Sequence, residues 1–271
     1  MVKKNVKVLV LRTAGTNCDQ ETVFAFQEAG ARVDRVHINR LFAKEIYLKD
    51  YHILAIPGGF TYGDDIESGR ILANELSLRL GEDICRFLGQ GKLIIGICNG
   101  FQVLVKSGIL PGPLDKAEEQ RHDSSPKTSL TNNDRGKFEA RWIHLHVEKK
   151  SIWTEGLPDT VYLPVAHAEG KFVVKDQPVL KKLKQNGQIA FRYCTPDGQE
   201  PIYPANPNGS VEHIAGITDR TGRILGLMPH PERHFLFRQH PFWTRMKKNG
   251  KYGDGASIFF NGVNYVKKHL I

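Results

Sequence analysis

The chain has 271 residues, 40% of them hydrophobic, which suffices for one large α/β domain or two small ones and argues against disorder. No run of about 18 apolar residues lacks a charge, no small-residue cleavage site follows the first apolar stretch, and the four cysteines form no Cys-x-x-Cys pair, so we predict a cytoplasmic protein without membrane partner or disulfide framework. The net charge of +9 comes from scattered lysines and arginines that do not interleave with aromatic residues, and we therefore predict no nucleic-acid partner.

The first part of the chain alternates between short apolar runs and helical patterns. Buried strands are predicted at 7–11, 32–38, 51–56 and 92–97, and helices at 20–29, at about 68–88 and from residue 100. The longest helix carries a single apolar stripe, made of Ile71, Leu72, Leu76, Leu80, Ile84 and Leu88. This alternation predicts an α/β fold, a doubly wound and mostly parallel sheet with helices on both faces, as in flavodoxin-like proteins.

The pattern changes after Gly108. A polar, proline-containing insertion at about 111–127 is interpreted as a long surface loop. Short strands at 142–147, 172–174, 189–193 and 224–227 are expected to extend the same sheet. An extended, aromatic-rich C-terminal segment at about 233–271 closes with a helix over 256–270. We predict a single domain over residues 1–271.

Gly96-Ile97-Cys98-Asn99-Gly100 lies between a predicted buried strand and a predicted helix start. A nucleophile elbow requires this context, because small residues on both sides let a strained turn pack closely while the nucleophile points outward. The N-terminus of the helix favours thiolate over thiol at Cys98. The alternative is a buried cysteine in an ordinary tight turn.

A thiolate nucleophile needs an imidazole and a third group that orients it. His230 and Glu232 lie two residues apart between prolines, directly after a predicted strand, and can project to the same side at the crevice where Cys98 lies. His144 and His146 alternate along a strand without an obvious third ligand, so we predict no metal site.

Attack on an amide carbonyl also needs fixed donors for the oxygen that becomes negative. The backbone N–H groups of Asn99 and of Gly59 or Phe60 are candidates, because the Pro57-Gly58-Gly59-Phe60 segment lets main chain approach a substrate closely. An ordinary turn is the alternative for that segment. His167 lies in a loop-like segment, 164–170, that could line the same site.

Together these residues resemble the class I glutamine amidotransferases. Pro57-Gly58-Gly59, Gly96 to Gln102 and His230-Pro231-Glu232 occur in the order found in that class. Further segments are similar to those of its phosphoribosylformylglycinamidine synthase glutaminase subunits: 15–19, 58–64, Asn133 with Phe138 and Arg141, 164–170, 206–210 and 214–217. The resemblance extends over nearly the whole chain.

The resemblance implies a division of labour in purine biosynthesis. Cys98 would form a γ-glutamyl thioester from L-glutamine, His230 would pass a proton to the leaving ammonia, and Glu232 would orient His230. Gly59, Phe60, Asn99 and Gln102 would hold the substrate or its oxyanion. The ammonia would pass to a large synthase subunit, with a small accessory subunit as a further partner; ATP and magnesium are expected on that synthase, and no cofactor on this chain.

Gating or partner contact is expected at His167, Glu169, Asn208 and Ser210, which lie in loops of the resembling segments. Three alternatives stay open at this point: a stand-alone γ-glutamyl hydrolase, a cysteine peptidase on the same fold, and a non-catalytic scaffold that regulates a synthase. The nature of the acceptor for ammonia rests on the resemblance, because a Cys-His-Glu set alone does not name it.

Overall fold

The structure is a computed structural model that describes residues 5–121, 126–148, 151–247 and 250–271. Its strands are β1 Lys7–Arg12, β2 Arg32–His37, β3 Ile53–Ile56, β4 Leu93–Ile97, β5 Thr128–Thr131, β6 Glu139–Val147, β7 Thr160–His167, β8 Lys171–Val174, β9 Ile189–Cys194, β10 Ile214–Thr218 and β11 Ile224–Leu227. Its α-helices are α1 Asp19–Glu28, α2 Ile38–Phe42, α3 Arg70–Gly89, α4 Asn99–Lys106, α5 Lys116–Arg121, α6 Gln177–Gln185 and α7 Ala256–His269. Among the described residues, no helix has the length and apolar character needed to cross a membrane.

Nine strands form one mixed sheet in the order β2-β1-β3-β4-β11-β10-β9-β6-β7. The first five are parallel to one another, and β3 and β4 are buried throughout, as expected for apolar strands covered on both faces. Crossovers to β2 and to β4 run in opposite directions, and right-handed crossovers of that kind place their helices on opposite faces. The predicted doubly wound α/β fold is confirmed.

Helix α3 shows how the apolar spacing fixes a packing face. Leu72, Leu76, Leu80 and Ile84 recur every four residues and are buried. Ile71 and the last residue of the predicted stripe, Leu88, are half-buried. A fully buried leucine or isoleucine contributes about 1.5–3 kcal/mol relative to an exposed one, so this stripe secures the helix although its opposite face is exposed.

The second half of the sheet is antiparallel, and the sequence interpretation needs correction there. Strands β5 and β8 pair with each other in a separate two-stranded sheet and do not extend the main one. The segment taken as a loop around His167 begins as strand β7. Pro164 lies within β7, which is tolerated because β7 is the edge strand of the sheet.

The insertion at 111–127 is not simply a surface loop. Residues 116–121 form α5, and Glu118 is buried, where its carboxylate accepts a hydrogen bond from the Leu114 N–H at 2.7 Å. Residues 122–125 of the insertion lie outside the described residues. Most buried apolar side chains of the described residues form one continuous cluster from Val6 to Val266, which supports the single domain that we propose for residues 1–271.

Candidate active site

Cys98 sits on a sharp turn between β4 and α4. Its φ of 52° lies in the left-handed region that side chains rarely adopt. A Cβ at Gly96 would lie 2.5 Å from the Gly100 carbonyl oxygen, and a Cβ at Gly100 would overlap the carbonyl oxygen of Ile56. Gly96 therefore lets β4 approach α4, and Gly100 lets the start of α4 approach β3, which is the close packing that the elbow interpretation predicts.

The neighbouring strand β11 brings His230 to the same edge. Strands β4 and β11 are parallel, with Ile97 opposite Leu227, and the Cys98 N–H donates to the Leu227 carbonyl at 2.8 Å. The His230 N–H donates to the carbonyl of Pro164 on β7 at 2.8 Å. Both chemically important side chains thus follow the carboxyl ends of adjacent strands, where open α/β sheets place their ligands.

His230 and Glu232 form a buried pair. The ring nitrogen Nδ1 and the carboxylate Oε1 are 2.6 Å apart, and neither side chain is more than 3% exposed. This contact fixes the imidazole and directs its other nitrogen, Nε2, away from the carboxylate. Nε2 has no hydrogen-bond partner among the described residues, so it is available to a substrate or leaving group.

Gly58 is the point on which the side chains of the site converge. A Cβ there would lie 2.7 Å from His230 Cε1, 3.4 Å from Cys98 Cβ and 3.2 Å from Cys18 Sγ. Cys98 is 5% exposed, and its thiol faces the Ala166 carbonyl oxygen at 3.6 Å. The structure therefore brings the three predicted residues Cys98, His230 and Glu232 together in one crevice.

The charges around His230 favour its protonated form. Burial alone would lower the pKa of this imidazole. The negative charges of Glu232 and of Cys98 outweigh burial and hold the pKa of His230 well above its ordinary value. The site is thus suited to an imidazolium beside a cysteine sulfur, the combination that a thiolate nucleophile with a general acid needs.

Of the predicted oxyanion donors, Gly59 and Asn99 fit and Phe60 does not. The Phe60 N–H already donates to the Gly15 carbonyl at 2.9 Å, so of the two alternatives, Gly59 or Phe60, the structure favours Gly59 as the backbone donor. The Gly59 N–H makes no hydrogen bond within the described part of the chain, and its φ of 148° suits a glycine. Asn99 begins α4, where a helix leaves its N–H groups unpaired.

The side chains of Asn99 and Gln102 are already engaged. Asn99 Oδ1 accepts from the Thr61 N–H at 3.2 Å, and its Nδ2 donates to Asp64 at 3.2 Å and to Gln102 Oε1 at 2.9 Å. Gln102 Nε2 donates to the Glu169 carbonyl at 2.6 Å. These buried amides connect the loop after Gly59 with the end of β7, so they position the walls of the site.

The end of β7 and the residues that follow it form what we call the second wall of the site, which carries His167 and Glu169. His167 is buried, and its Nδ1 faces Asn133 Oδ1 at 3.1 Å; burial, with a smaller effect of the His230 charge, lowers the pKa of His167 to about 4. His167 is therefore neutral near pH 7. Glu169 Oε2 accepts from the Ser68 N–H at 3.3 Å and pairs with Lys106 at 3.6 Å.

Asn208 and Ser210 are too deeply buried to touch a partner in this conformation, so of the expected gating or partner contact only gating stays a prediction for these two residues. Asn208 Nδ2 donates to the Gly170 carbonyl at 2.8 Å and to the Tyr193 hydroxyl at 3.0 Å. The Phe172 N–H donates to Ser210 Oγ at 2.9 Å. Both residues hold the start of β8 and the residue before it in place.

Sequence reasoning missed Cys18 and Arg233. The sequence patterns assign no role in the site to Cys18, yet its sulfur lies 3.9 Å from His230 Nδ1 and accepts a hydrogen bond from Arg233 at 3.1 Å. Besides the family-like segment 15–19, the sequence signal is the position of Cys18 in the turn between β1 and α1, since β1 is adjacent to β3 and its carboxyl end faces the same crevice.

The fold and the site together define a class. A cysteine on a strand-to-helix turn beside a His-Glu pair from the neighbouring strand, on a sheet of this topology, is the arrangement of the class I glutamine amidotransferases. Residues 5–266 match the family model described as CobB/CobQ-like glutamine amidotransferase domain.

Comparisons with individual proteins narrow this class. The chain is 49% identical to phosphoribosylformylglycinamidine synthase subunit PurQ of Dehalococcoides mccartyi, over 97% of this chain and 98% of that protein. It is 41% identical to the PurQ subunit of Methanococcus maripaludis, over 99% of this chain and 100% of that protein. The structure of PurLQS from Thermotoga maritima matches with a TM-score of 0.72 and 28% identity, covering 97% of this chain and 100% of the matched one. The chain belongs to the PurQ family of phosphoribosylformylglycinamidine synthase subunits.

Proposed function

We propose that this chain hydrolyses L-glutamine at Cys98 and delivers the ammonia to a synthase subunit that forms phosphoribosylformylglycinamidine. Its relatives are named as one subunit of that synthase, which supports the assignment of the ammonia-consuming step to another subunit. A large synthase subunit is the proposed partner. A small accessory subunit and a cytoplasmic location stay predictions.

Cys98 is the proposed nucleophile. Its thiolate sulfur bonds to the γ-carboxamide carbon of glutamine, and the tetrahedral intermediate collapses to a γ-glutamyl thioester as the C–N bond breaks. His230 gives its Nε2 proton to the leaving nitrogen, which departs as ammonia, and then accepts a proton from the water that hydrolyses the thioester to glutamate. Glu232 holds the ring and supports its charge.

The N–H groups of Gly59 and Asn99 are the proposed oxyanion donors. Both belong to backbone that packing fixes before substrate arrives, which makes their dipoles effective without reorganisation. Gly59 is held by its close approach to the 15–17 segment, where a Cβ would lie 2.6 Å from the Gly15 carbonyl oxygen. Asn99 is held by the Cys98 turn.

A partner is expected because of the chemistry of the product. Ammonia that escapes into neutral water is mostly protonated and no longer a nucleophile, so a sheltered path to the acceptor preserves its use. We therefore expect the isolated chain to be poorly active and docking to a synthase to raise its rate of glutamine hydrolysis. His167 and Glu169 lie on the second wall, which we expect to change conformation on docking.

The observation that carries the proposal is the convergence of Cys98 and the His230–Glu232 pair on Gly58. The test measures glutamate release by the chain mixed with a synthase subunit, ATP, magnesium and formylglycinamide ribonucleotide. Cys98→Ala should abolish glutamine-dependent product, and ammonium salt should restore it because the synthase half is intact. Cys85→Ala, at an exposed cysteine on α3, is the matched control and should behave as the wild type.

The outcomes also separate the alternatives. Full glutaminase activity of the isolated chain, unchanged by a synthase, would favour a stand-alone hydrolase. Cleavage of peptides in place of glutamine would favour a peptidase. If the complex with Cys98→Ala formed phosphoribosylformylglycinamidine from glutamine at an unchanged rate, the result would favour a non-catalytic scaffold role for this chain.

A further inference from the structure

Three donor groups of different chemistry meet where Cys18 approaches the His230–Glu232 pair. Cys18 Sγ, a ring nitrogen of His230 and a carboxylate oxygen of Glu232 all lie within 4.8 Å of one another, and all three residues are buried. Glu232 is 1% exposed, and its second oxygen, Oε2, has no hydrogen-bond partner among the described residues. A buried carboxylate oxygen without a partner is costly and can accept a cation.

We propose that Cys18, His230 and Glu232 form an inhibitory site for a thiophilic divalent ion, of which Zn²⁺ and Cd²⁺ are the representatives. Sulfur, imidazole and carboxylate are the ligands that Zn²⁺ takes in proteins. Magnesium prefers oxygen ligands alone and does not suit this set. The fourth position would be open to water.

The spacing of the donors is close to that of a tetrahedral site. Cys18 Sγ and His230 Nδ1 are 3.9 Å apart, and ligands of a tetrahedral zinc ion are separated by roughly 3.5 Å. Nδ1 and Glu232 Oε1 are nearer, at 2.6 Å, because a proton lies between them. The ion would replace that proton and the Cys18 thiol proton, so binding releases both.

Arg233 opposes binding of a metal ion to Cys18, and its side chain lies between Cys18 and solvent, where an ion would enter. Its Nη2 donates to Cys18 Sγ at 3.1 Å, and the thiol itself faces Asn17 Oδ1 at 3.0 Å. The Arg233 side chain is 35% exposed and pairs with the equally accessible Glu21 at 3.6 Å. It can swing toward solvent and uncover the sulfur without disturbing the core.

The consequence for catalysis rests on the proposed function. An ion on Nδ1 and Glu232 removes the 2.6 Å contact that orients His230. Zn²⁺ should therefore inhibit glutamine hydrolysis reversibly, with activity restored by a chelator. Binding itself does not depend on the proposed function, so the two are measured separately.

The experiment titrates the full chain with Zn²⁺ against a metallochromic competitor in a non-thiol reductant. Wild type, Cys98→Ala and Cys85→Ala should bind one ion with equal affinity, whereas Cys18→Ala and Cys18→Ser should bind at least about 100-fold more weakly. Mg²⁺ should not compete. Inhibition is expressed relative to the metal-free rate of each variant, and both Cys18 variants should need about 100-fold more Zn²⁺.

Several results would overturn the site. Equal affinity in the Cys18 variants would exclude this cysteine as a ligand, and loss of binding in Cys98→Ala would place the ion on the nucleophile instead. If neither Cys18 variant folds, X-ray absorption at the zinc edge of the Cys98→Ala protein should report one sulfur and otherwise nitrogen or oxygen neighbours; a shell without sulfur contradicts the proposal. If Cys98→Ala still hydrolyses glutamine, the proposed function fails while the binding result stands.

Discussion

The turn that carries Cys98 and the loop that faces it are held in place by different forces. Residues 96–100 are fixed by close packing of backbone, with Gly100 lying directly against the Ile56 carbonyl. The facing loop, residues 60–69, contains Tyr62 and Asp64 at φ values of 55°. It is held by hydrogen bonds: the Thr61 N–H donates to Asn99 Oδ1, Asn99 Nδ2 donates to Asp64, and the Phe60 and Tyr62 N–H groups donate to backbone carbonyls of the β1–α1 turn.

This difference separates what must be rigid from what can move. A packed turn has one conformation, because any shift produces overlap with β3. A loop in left-handed conformations stays there only while its hydrogen bonds persist, and each bond contributes about 0.5–1.5 kcal/mol. The proposed nucleophile, Cys98, thus lies on the part that cannot adapt, and the proposed oxyanion donor Gly59 adjoins the part that can.

The largest loss of stability is expected for Gly100→Ala. The new methyl group would overlap the Ile56 carbonyl oxygen, and neither backbone can retreat, so the free energy of unfolding should fall by more than about 3 kcal/mol. Urea unfolding measures this. The matched control is Gly81→Ala within α3, where a Cβ meets nothing within 4 Å and stability should rise by up to about 1 kcal/mol. A mild Gly100→Ala phenotype would show that the turn can adapt.

The next largest loss of stability is expected at the second wall, which bears His167. Asn133 binds the Lys137 and His167 carbonyls through Nδ2, at 2.8 and 2.9 Å, and the Gly170 N–H and His167 Nδ1 through Oδ1, at 3.0 and 3.1 Å. Asn133→Ala leaves these buried groups unpaired and should cost about 2–3 kcal/mol of unfolding free energy.

Asn132→Ala, at the exposed neighbouring position, should change stability by less than about 0.5 kcal/mol. Hydrogen exchange of the Gly170 amide gives a local reading of the same contacts. If Asn133→Ala is as stable as Asn132→Ala, the second wall is not held by this amide.

A third prediction uses pH. The pKa of His167 is lowered to about 4 in the folded chain, from an ordinary value of 6.5, so the unfolded chain binds the proton first as pH falls. Its contribution to stability is therefore complete above pH 6.5 and decreases toward pH 4, by about 2 kcal/mol between pH 7 and pH 5. Unfolding free energies of wild type and His167→Gln over this range isolate the contribution, since other groups cancel. Identical slopes would contradict it.

The parallel half of the sheet and the meeting of Cys98, His230 and Glu232, the proposed catalytic residues, could be predicted because their signals are local. Cys98 is flanked by the glycines its turn requires, and His230 and Glu232 stand two residues apart after a strand. Adjacent parallel strands then bring these local features to one edge without further information.

The rest depends on pairings that sequence spacing does not encode. Strands β5 and β8 resemble sheet strands locally, and their separate sheet follows from long-range packing. The engagement of the Phe60 N–H depends on the β1–α1 turn folding over it, and Cys18 reaches His230 through the same turn. Neither contact produces a periodic pattern in the sequence from which it could be predicted.

The smallest effect is expected within the facing loop, at Asp64. Its carboxylate accepts from Ser68 Oγ at 2.9 Å, the Gly69 N–H at 3.3 Å and Asn99 Nδ2 at 3.2 Å, while burial raises the pKa of the group and so disfavours its charge. Asp64→Asn keeps an acceptor oxygen toward Gly69 and Asn99 and removes the buried charge, so stability should change by less than about 1 kcal/mol, whereas Asp64→Ala should cost about 2 kcal/mol. Urea unfolding and glutamate release by both variants test this. If Asp64→Asn were as damaging as Asp64→Ala, the loop would depend on charge, and its hydrogen bonds could not explain how it is held against the packed turn.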